Sequence, residues 1–280
     1  MHLGGDWSVR LRGVFDEYGS REWERLEADA RNRASLEIHR RFLGRFVAPG
    51  MRVLEIGAGP GRFTIELARL GCRIVVTDIS TVQPALNQEQ VDRAGLSGAV
   101  EDRRQLDVRS LSGLAGGEFD AVVAYGGPIS YAFEEAEASL AEMVRVTQPG
   151  GVVVASVMGL AGTLRFYLQA LAQYAADGRL DVLEQVVATG DNRYDPPAHP
   201  CRMFCWQEVD DMIHHLPCDL VGASASNFLT CGDQDVVETV AADPALWALL
   251  LDWEERMCAD AGALDGGTHI LFALRSLEIP

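Results

Sequence analysis

Short apolar runs alternate with amphipathic helical patterns along the first half of the chain. Such a run occupies Arg52–Ile56, and Arg62–Leu70 then places apolar residues three to four positions apart. Continuous apolar strands separated by helices are typical of a parallel sheet that helices cover on both faces. The pattern therefore predicts a doubly wound α/β sheet of seven strands: Arg52–Ile56, Arg73–Thr77, Ala99–Leu106, Phe119–Ala124, Gly151–Val157, Asp219–Ala225 and Thr268–Ser276.

Helical patterns fill the N-terminal region and the intervals between the predicted strands. We predict a single helix from Val14 to Phe46, because its apolar residues keep helical spacing until Pro49 and Gly50 end it. The other predicted helices are Arg62–Leu70, Pro84–Ala94, Glu134–Val146, Leu160–Ala176, Leu180–Ala188, Gln207–Leu216 and Leu246–Ala259.

The strand and helix alternation fails between Met158 and Pro217, a stretch that includes the polar, Pro-rich loop Asp191–Pro200. An insertion of this size between strands is more often a cover over a substrate site than an independent domain. We therefore predict one domain in four parts: an N-terminal helical cap (residues 1–48), a core (49–157), a helical lid (158–217) and C-terminal strands with a helix (218–280).

The charge balance narrows the classes of partner. The 280 residues include 24 arginines, no lysine and 41 acidic side chains, for a formal net charge of −17. Nucleic-acid binding requires a dense positive surface, so no nucleic acid is expected as partner. The absence of lysine also excludes Schiff-base chemistry.

Membrane insertion, secretion and metal binding are not expected. The longest uncharged stretch, Val146–Leu164, is interrupted by Pro149 and glycines, and Met1–Gly13 lacks the apolar region of a secretory signal. We therefore expect a cytoplasmic protein with reduced cysteines. A zinc site would enlist Cys201, Cys205, His214 and Cys218, whose spacing does not match a common tetrahedral site, so no metal is predicted.

A glycine-rich loop follows the first predicted strand. Glycines at such a place let the backbone turn sharply and a ligand approach closely, and the next helix offers free N–H groups. The dinucleotide fingerprint has its third glycine three positions after the second. Here Arg62 stands at that position and Gly61 comes one residue early, so a dinucleotide cofactor is disfavoured.

This loop and the acids after it resemble the class I S-adenosylmethionine-dependent methyltransferases, in particular those that act on small molecules. The resemblance covers Arg52–Val157 and implies a Rossmann-like sheet with S-adenosylmethionine as cofactor. The family's motif E/D-x-G-x-G-x-G is matched by Glu55, Gly57, Gly59 and Gly61; Asp78 stands where the family binds both ribose hydroxyls, and Asp107 where it binds the adenine amine.

The same resemblance implies further cofactor contacts. The backbone of Val108 lies beside the adenine position, and Tyr125 ends the strand that lies along the methionine part of the cofactor. Ala58 and Ile79 are the neighbours of the loop glycines and of Asp78. Each acid or glycine, taken singly, also has a purely structural interpretation as a loop cap or a packing residue.

Methyl transfer from a sulfonium needs mainly a well-placed nucleophile, so no general base is obligatory. Aromatic faces stabilise the positive sulfur, which makes Tyr125 and Tyr131 candidates. Tyr18 resembles the tyrosine near the start of the family's leading helix. His199 is a candidate base or anchor, and each of these residues is otherwise interpreted as packing. Predicted substrate contacts are Ser130, Arg202 and Asn227, with Arg202 able to pair with a carboxylate.

Three functions stay open at this point. The first is methyl transfer to N, O or C of a small metabolite in a closed pocket, in specialised metabolism. The second is cyclisation of the cofactor itself to an azetidine amino acid and methylthioadenosine. The third is noncatalytic binding of the cofactor. A homodimer is an assembly that the sequence allows.

Overall fold

A single mixed sheet forms the centre of the computed structural model, which describes residues 7–195 and 199–278. The strands are β1 Arg52–Ile56, β2 Arg73–Asp78, β3 Val100–Gln105, β4 Phe119–Ala124, β5 Thr147–Gly159, β6 Met203–Phe204, β7 Cys218–Ser226 and β8 His269–Ser276. Their order is β3-β2-β1-β4-β5-β8-β7, and the two-residue β6 pairs with β5 outside this path. β8 runs antiparallel to β5 and β7, and the other pairs are parallel. The predicted doubly wound sheet is confirmed.

Helices occupy most of the chain between the strands. They are α1 Trp7–Tyr18, α2 Arg21–Arg25, α3 Ala30–Gly44, α4 Arg62–Arg69, α5 Gln83–Arg93, α6 Ala136–Val146, α7 Leu160–Phe166, α8 Ala170–Ala176, α9 Leu180–Thr189, α10 Trp206–His214, α11 Gln234–Ala241 and α12 Pro244–Cys258. Short 3-10 turns occupy Ser97–Ala99, Ile129–Tyr131, Phe133–Glu135, Asn192–Tyr194 and Ala261–Gly266.

Successive residues of the central strands point into two separate apolar layers. Val53, for example, packs with the side chains of α3 and α4, whereas Leu54 packs with those of α6 and α10. A strand whose two faces are both covered needs apolar residues at every position, which is why the pattern is continuous. The two layers cover both faces of the sheet, and the ends of its strands lie outside them.

The single N-terminal helix predicted from Val14 to Phe46 is wrong, because that region forms α1, α2 and α3. The first break lies at Gly19, which has a left-handed backbone (φ 53°). At the second, Asp29 is extended and its side chain accepts a hydrogen bond from the backbone N–H of Asn32, which caps α3. The apolar spacing continues across both breaks, so periodicity alone does not reveal them.

Other boundaries also differ from the prediction. The helix predicted over Leu160–Ala176 is divided into α7 and α8, and α11 and β6 were not predicted. Of the predicted loop Asp191–Pro200, residues 196–198 lie outside the described residues, as do residues 1–6 of the predicted cap and 279–280 of the C-terminal part. The division into cap, core, lid and C-terminal part stays a prediction.

The carboxyl ends of β1 to β5 lie at one edge of the sheet, because these strands are parallel. Strand order reverses between β1 and β4, and ligands of open α/β sheets bind outside the carboxyl ends of the strands at such a point. The antiparallel β8 begins at this same edge with His269, which is paired with Met158 of β5. Residues far apart in the chain therefore meet there.

The six cysteines are free thiols, as predicted. Within the described ranges, no helix is long and apolar enough to cross a membrane. The same residues contain no group of three or more His, Cys, Asp or Glu side chains that could hold a metal ion.

Candidate active site

A cavity of about 440 Å³ lies at this carboxyl-terminal edge. Its walls come from α1 to α3, from the loops after β1 to β4, from residues of the 158–217 segment and from the start of β8. The volume falls within the range of small-molecule and cofactor sites. Twelve of the residues predicted from the sequence line it: Tyr18, Gly57, Ala58, Gly59, Asp78, Ile79, Asp107, Val108, Tyr125, Tyr131, His199 and Asn227.

The glycine loop is held in a conformation that other residues adopt only with strain. Gly57, Gly59 and Gly61 all have positive φ angles (66°, 53° and 98°). A Cβ atom at Gly57 would lie 2.7 Å from Cγ of Pro128. A side chain at this position would therefore push the loop away from the β4 loop that forms the opposite wall.

Asp78 ties the glycine loop to the end of β2. Its Oδ2 accepts a hydrogen bond from the Gly59 N–H and its Oδ1 accepts one from the Ser80 N–H, both at 2.8 Å. Burial raises the pKa of Asp78 to about 6, and the negative charges of Glu22 and Asp16 add to the effect. Each oxygen keeps a further lone pair, so the carboxylate can still accept two hydrogen bonds from a diol.

Asp107 follows β3 and pairs with Arg109. The guanidinium nitrogen of Arg109 lies 2.7 Å from Oδ2 of Asp107, and the Arg109 backbone N–H also donates to Oδ1. Burial opposes ionisation of Asp107, but the hydrogen bonds and the charge of Arg109 outweigh it and lower its pKa. Asp107 is therefore an ionised acceptor at the cavity wall.

Glu55 does not line the cavity, which corrects the expectation of a direct cofactor contact. It is 3% exposed, and its Oε2 accepts a hydrogen bond of 2.6 Å from Thr64 in α4. Thr64 in turn accepts from the amide of Asn87. Burial, with the charge of Asp78, raises the pKa of Glu55 to about 8. Glu55 thus joins β1 to α4 behind the loop.

Three further predicted residues also stand outside the cavity wall. Gly61 caps α4 and faces Asn87. Ser130 is buried, and its Oγ accepts the Met158 N–H at 2.9 Å. Arg202 donates to Glu208 at 2.8 Å, and its guanidinium lies over the ring of Phe204. None of these three residues is among those that line the cavity.

Tyr131 and His199 form a hydrogen-bonded pair, with 3.1 Å between the Tyr131 hydroxyl and His199 Nε2. Phe15 of α1 packs edge-on against both rings. Burial raises the pKa of Tyr131 well above its ordinary value and lowers the pKa of His199, so the pair is uncharged at neutral pH. Tyr18, nearby in the cavity wall, carries the guanidinium of Arg21 over its ring.

The structure adds two histidines that the sequence interpretation did not assign to the site. His39 of α3 and His269 of β8 both line the cavity, with their ring centroids 5.3 Å apart. The ring of Tyr125 meets His39 edge-on at 4.9 Å. A polar His39 between the apolar Ile38 and Phe42 of a predicted helix was the only local signal for this cluster.

The cavity thus has two chemically different ends. We call the first the glycine-loop end; it comprises Gly57, Gly59, Asp78 and Asp107. We call the second the histidine end; it comprises His39, Tyr125, Asn227 and His269.

The residues at both ends fit S-adenosylmethionine. Asp78 retains free lone pairs for the ribose diol, and the left-handed glycines leave no Cβ in the way of the ligand. The Tyr125 hydroxyl is buried and has no hydrogen-bond partner among residues 7–195 and 199–278. A bound ligand would satisfy such a group.

Comparison with known proteins agrees with this geometry. Residues 53–151 match the model of a methyltransferase-domain family. The matched region contains the glycine loop, Asp78 and Asp107, so the part of the chain that forms the glycine-loop end is similar to methyltransferase domains.

Two relatives illustrate how far this similarity extends. An uncharacterised protein of Mycobacterium tuberculosis is 32% identical over 107 residues, which are 38% of this chain and 37% of that protein. A demethylmenaquinone methyltransferase of Beutenbergia cavernae is 32% identical over 150 residues, 52% of this chain and 56% of the relative. The chain therefore spans between about a third and little more than half the length of these relatives.

Solved structures show the fold over a longer stretch. The [4+2]-cyclase SpnF has a TM-score of 0.61 at 16% identity, covering 96% of this chain and 97% of its own. A geranyl diphosphate methyltransferase in complex with GPP and sinefungin has a TM-score of 0.53 at 14% identity, covering 88% of this chain and 79% of its own. At these identities the similarity shows the fold alone.

Proposed function

We propose that the protein transfers the methyl group of S-adenosylmethionine to an N, O or C atom of a small molecule bound in the cavity. One observation carries the proposal: a single cavity is lined by the glycine-loop end and by the uncharged polar groups of the histidine end. The first suits an adenosyl group, and the second suits a neutral acceptor.

The residues of the chain have separate tasks in this proposal. Asp78 would accept hydrogen bonds from the ribose hydroxyls, and Asp107 would accept one from the adenine amine. Tyr125 and Phe63, whose rings meet edge-on at 4.9 Å, would cover the reacting end and exclude water. When bound, S-adenosylmethionine supplies an electrophilic methyl group on a positively charged sulfur.

The Beutenbergia relative supports a first candidate acceptor. Its name states that it methylates demethylmenaquinone, an aromatic bicyclic molecule. The cavity wall is rich in aromatic side chains, among them Phe15, Phe63, Phe166 and Tyr167, which suits an acceptor of that kind. An aromatic bicyclic compound is therefore the first acceptor to test.

The experiment measures binding and products separately. Titration of the purified chain with S-adenosylhomocysteine in a calorimeter is expected to give one site per chain. Incubation with S-adenosylmethionine, alone and with a cell extract, is then followed by mass spectrometry. S-adenosylhomocysteine formed only with extract supports methyl transfer. Methylthioadenosine formed without any acceptor would favour cofactor cyclisation, and binding without either product would favour a noncatalytic protein.

We retain the remaining expectations as part of the proposal. They are a cytoplasmic location, a role in specialised metabolism, no nucleic-acid partner and a homodimer as one assembly. Sedimentation of the purified chain tests the last of these, and fractionation of the source cells tests the first.

A further inference from the structure

His39 presents an unprotonated nitrogen to the cavity. Its Nδ1 lies 2.8 Å from the backbone carbonyl oxygen of Ser35. A carbonyl oxygen can only accept a hydrogen bond, so Nδ1 must carry the proton. In the neutral ring, Nε2 is then the atom with the free lone pair.

His269 has the same tautomer for a different reason. The Asn227 amide nitrogen donates to the carbonyl oxygen of Arg31 at 2.8 Å, which places the Asn227 Oδ1 toward Thr268. Thr268 donates its single hydroxyl proton to that oxygen at 3.0 Å. Its Oγ1 can therefore only accept from Nδ1 of His269, which lies 3.2 Å away. The lone pair of His269 is on Nε2.

Neither Nε2 atom has a hydrogen-bond partner within the part of the chain that the structure describes. Around His39 lie Tyr125, Phe63 and His269, and the nearby cation of Arg25 disfavours a second positive charge. Burial, with Arg25 acting in the same direction, lowers the pKa of His39 to about 4. Burial also lowers the pKa of His269, to which His39 and Arg25 contribute. Both rings are therefore neutral at pH 7.

Two neutral acceptor nitrogens in an aromatic cavity specify the chemistry of their ligand. The ligand must donate hydrogen bonds, because neither Nε2 has a proton to give. It must also be uncharged and largely apolar, since Phe63 and Tyr125 form the adjoining wall. A carboxylate or a phosphate would meet two lone pairs, and the cation of Arg25, which also lines the cavity, is already paired with Glu22.

From this geometry we infer that the methyl acceptor is an uncharged hydroxylated aromatic compound whose hydroxyl groups donate to Nε2 of His269 and His39, and that His269 takes the proton released on methylation. The inference rests on the proposed methyl transfer. His269 is chosen as the base because Thr268 and Asn227 orient it, in the way that a third group orients a catalytic histidine.

The proposed step balances. The O–H bond of the acceptor breaks and its proton passes to Nε2 of His269, while the oxygen forms the new bond to the methyl carbon. The electron pair of the old carbon–sulfur bond stays on sulfur, leaving a neutral thioether. The imidazolium then loses its proton to water, and no oxidant or reductant is required.

A first experiment tests the tautomers without any acceptor. In nitrogen-15 spectra of histidine-labelled protein saturated with S-adenosylhomocysteine, His39 and His269 are expected as neutral Nδ1–H rings from pH 8 to pH 6. Assignment follows from His39→Phe and His269→Phe, which keep a ring but remove the nitrogens. A proton found on Nε2 of His269 would overturn the inference.

A second experiment compares two ligands of equal shape: 2,3-dihydroxynaphthalene and 2,3-dimethylnaphthalene. With S-adenosylhomocysteine bound, the protein is expected to bind the diol at least tenfold more tightly. His269→Phe should reduce this preference to less than threefold, whereas the exposed His214→Phe should leave it unchanged. His39→Phe provides a second variant should His269→Phe fail to fold.

The outcomes separate this inference from the proposed function. If S-adenosylhomocysteine does not bind, the proposed function fails. If it binds but the diol is not preferred, or the diol does not bind at all, the hydroxylated aromatic acceptor is wrong and the methyltransferase proposal stands.

Discussion

The glycine-loop end and the histidine end of the cavity handle charge in opposite ways. At the glycine-loop end, Asp78 and Asp107 bring acids to the cavity, and backbone N–H groups hold them in place. At the histidine end, His39 and His269 are uncharged, and hydrogen bonds determine which nitrogen carries the proton. In the proposed function, the first end holds a ligand with several donors, and the second receives a proton.

Because of this difference, we expect cofactor affinity and the reaction of the acceptor to depend on different ends of the cavity. Changes at the glycine-loop end are expected to alter cofactor affinity, and changes at the histidine end to alter the choice and the deprotonation of the acceptor. The predictions below test that separation, beginning with the largest expected effect.

Asp78→Ala removes the carboxylate that accepts hydrogen bonds from the Gly59 and Ser80 N–H groups and, in the proposed function, from the ribose. We expect a loss of about 1.5–3 kcal/mol in S-adenosylhomocysteine binding, because hydrogen bonds to charged groups contribute that much. Calorimetry measures it, and His269→Phe serves as the matched variant at the other end. A comparable loss of cofactor affinity in both variants would contradict the separation.

Gly57→Ala places a methyl group against Pro128 and forces a left-handed backbone on alanine. We expect the free energy of unfolding to fall by about 1–3 kcal/mol, the usual cost of such strain. Gly50→Ala is the control, because Gly50 also has a positive φ (85°) but a Cβ there meets nothing within 4 Å. Urea unfolding and cofactor titration should show the larger loss in Gly57→Ala, and equal losses would remove Pro128 from the explanation.

Glu55→Gln tests the buried acid behind the glycine-loop end. The folded-state pKa of about 8 exceeds the unfolded value of about 4.3. The folded state therefore gains stability from this group below pH 4, and that gain is lost as the pH rises toward 8. For this one group, the free energy of unfolding changes by at most about 1.4 kcal/mol per pH unit.

Urea unfolding from pH 5 to pH 8 measures this dependence. Glu55→Gln is expected to flatten it, since glutamine still accepts the bond from Thr64 without ionising. The exposed Glu89→Gln should keep the slope of the parent chain. An unchanged slope in Glu55→Gln would show that Glu55 is not the titrating group.

Arg202→Ala is expected to have the smallest effect of these variants on stability and binding. The ion pair with Glu208 is partly exposed, and such pairs contribute about 0–1 kcal/mol. Neither end of the cavity should respond, so cofactor affinity and the preference for the diol should stay within twofold. A larger effect on the diol would return Arg202 to the acceptor site.

The two ends also differ in how far the sequence could predict them. Gly57, Asp78 and Asp107 each follow a strand that the apolar pattern reveals, and parallel strands bring their carboxyl ends to one edge. Local pattern and topology together were therefore sufficient there. The same reasoning failed for Glu55. The apolar pattern does not show whether a carboxylate near the end of a strand faces the ligand site or the next helix, and in the structure Glu55 accepts a hydrogen bond from Thr64 of α4.

The histidine end depends on contacts between remote segments. His39 and His269 meet because β8 enters the sheet between β5 and β7 and because α3 packs against β7, the neighbour of β8. No local pattern encodes such a meeting. The breaks at Gly19 and Asp29, which precede α3, were likewise hidden by continuous apolar spacing.

The left-handed backbone of Asn227 (φ 63°) restricts what evolution can place there. Glycine would adopt the backbone but lose the amide, and most other side chains would pay for the conformation without offering both a donor and an acceptor. Asparagine meets both demands at once. In an alignment of relatives, we expect positions 227 and 269 to covary, with the asparagine disappearing only from lineages that have also discarded the histidine.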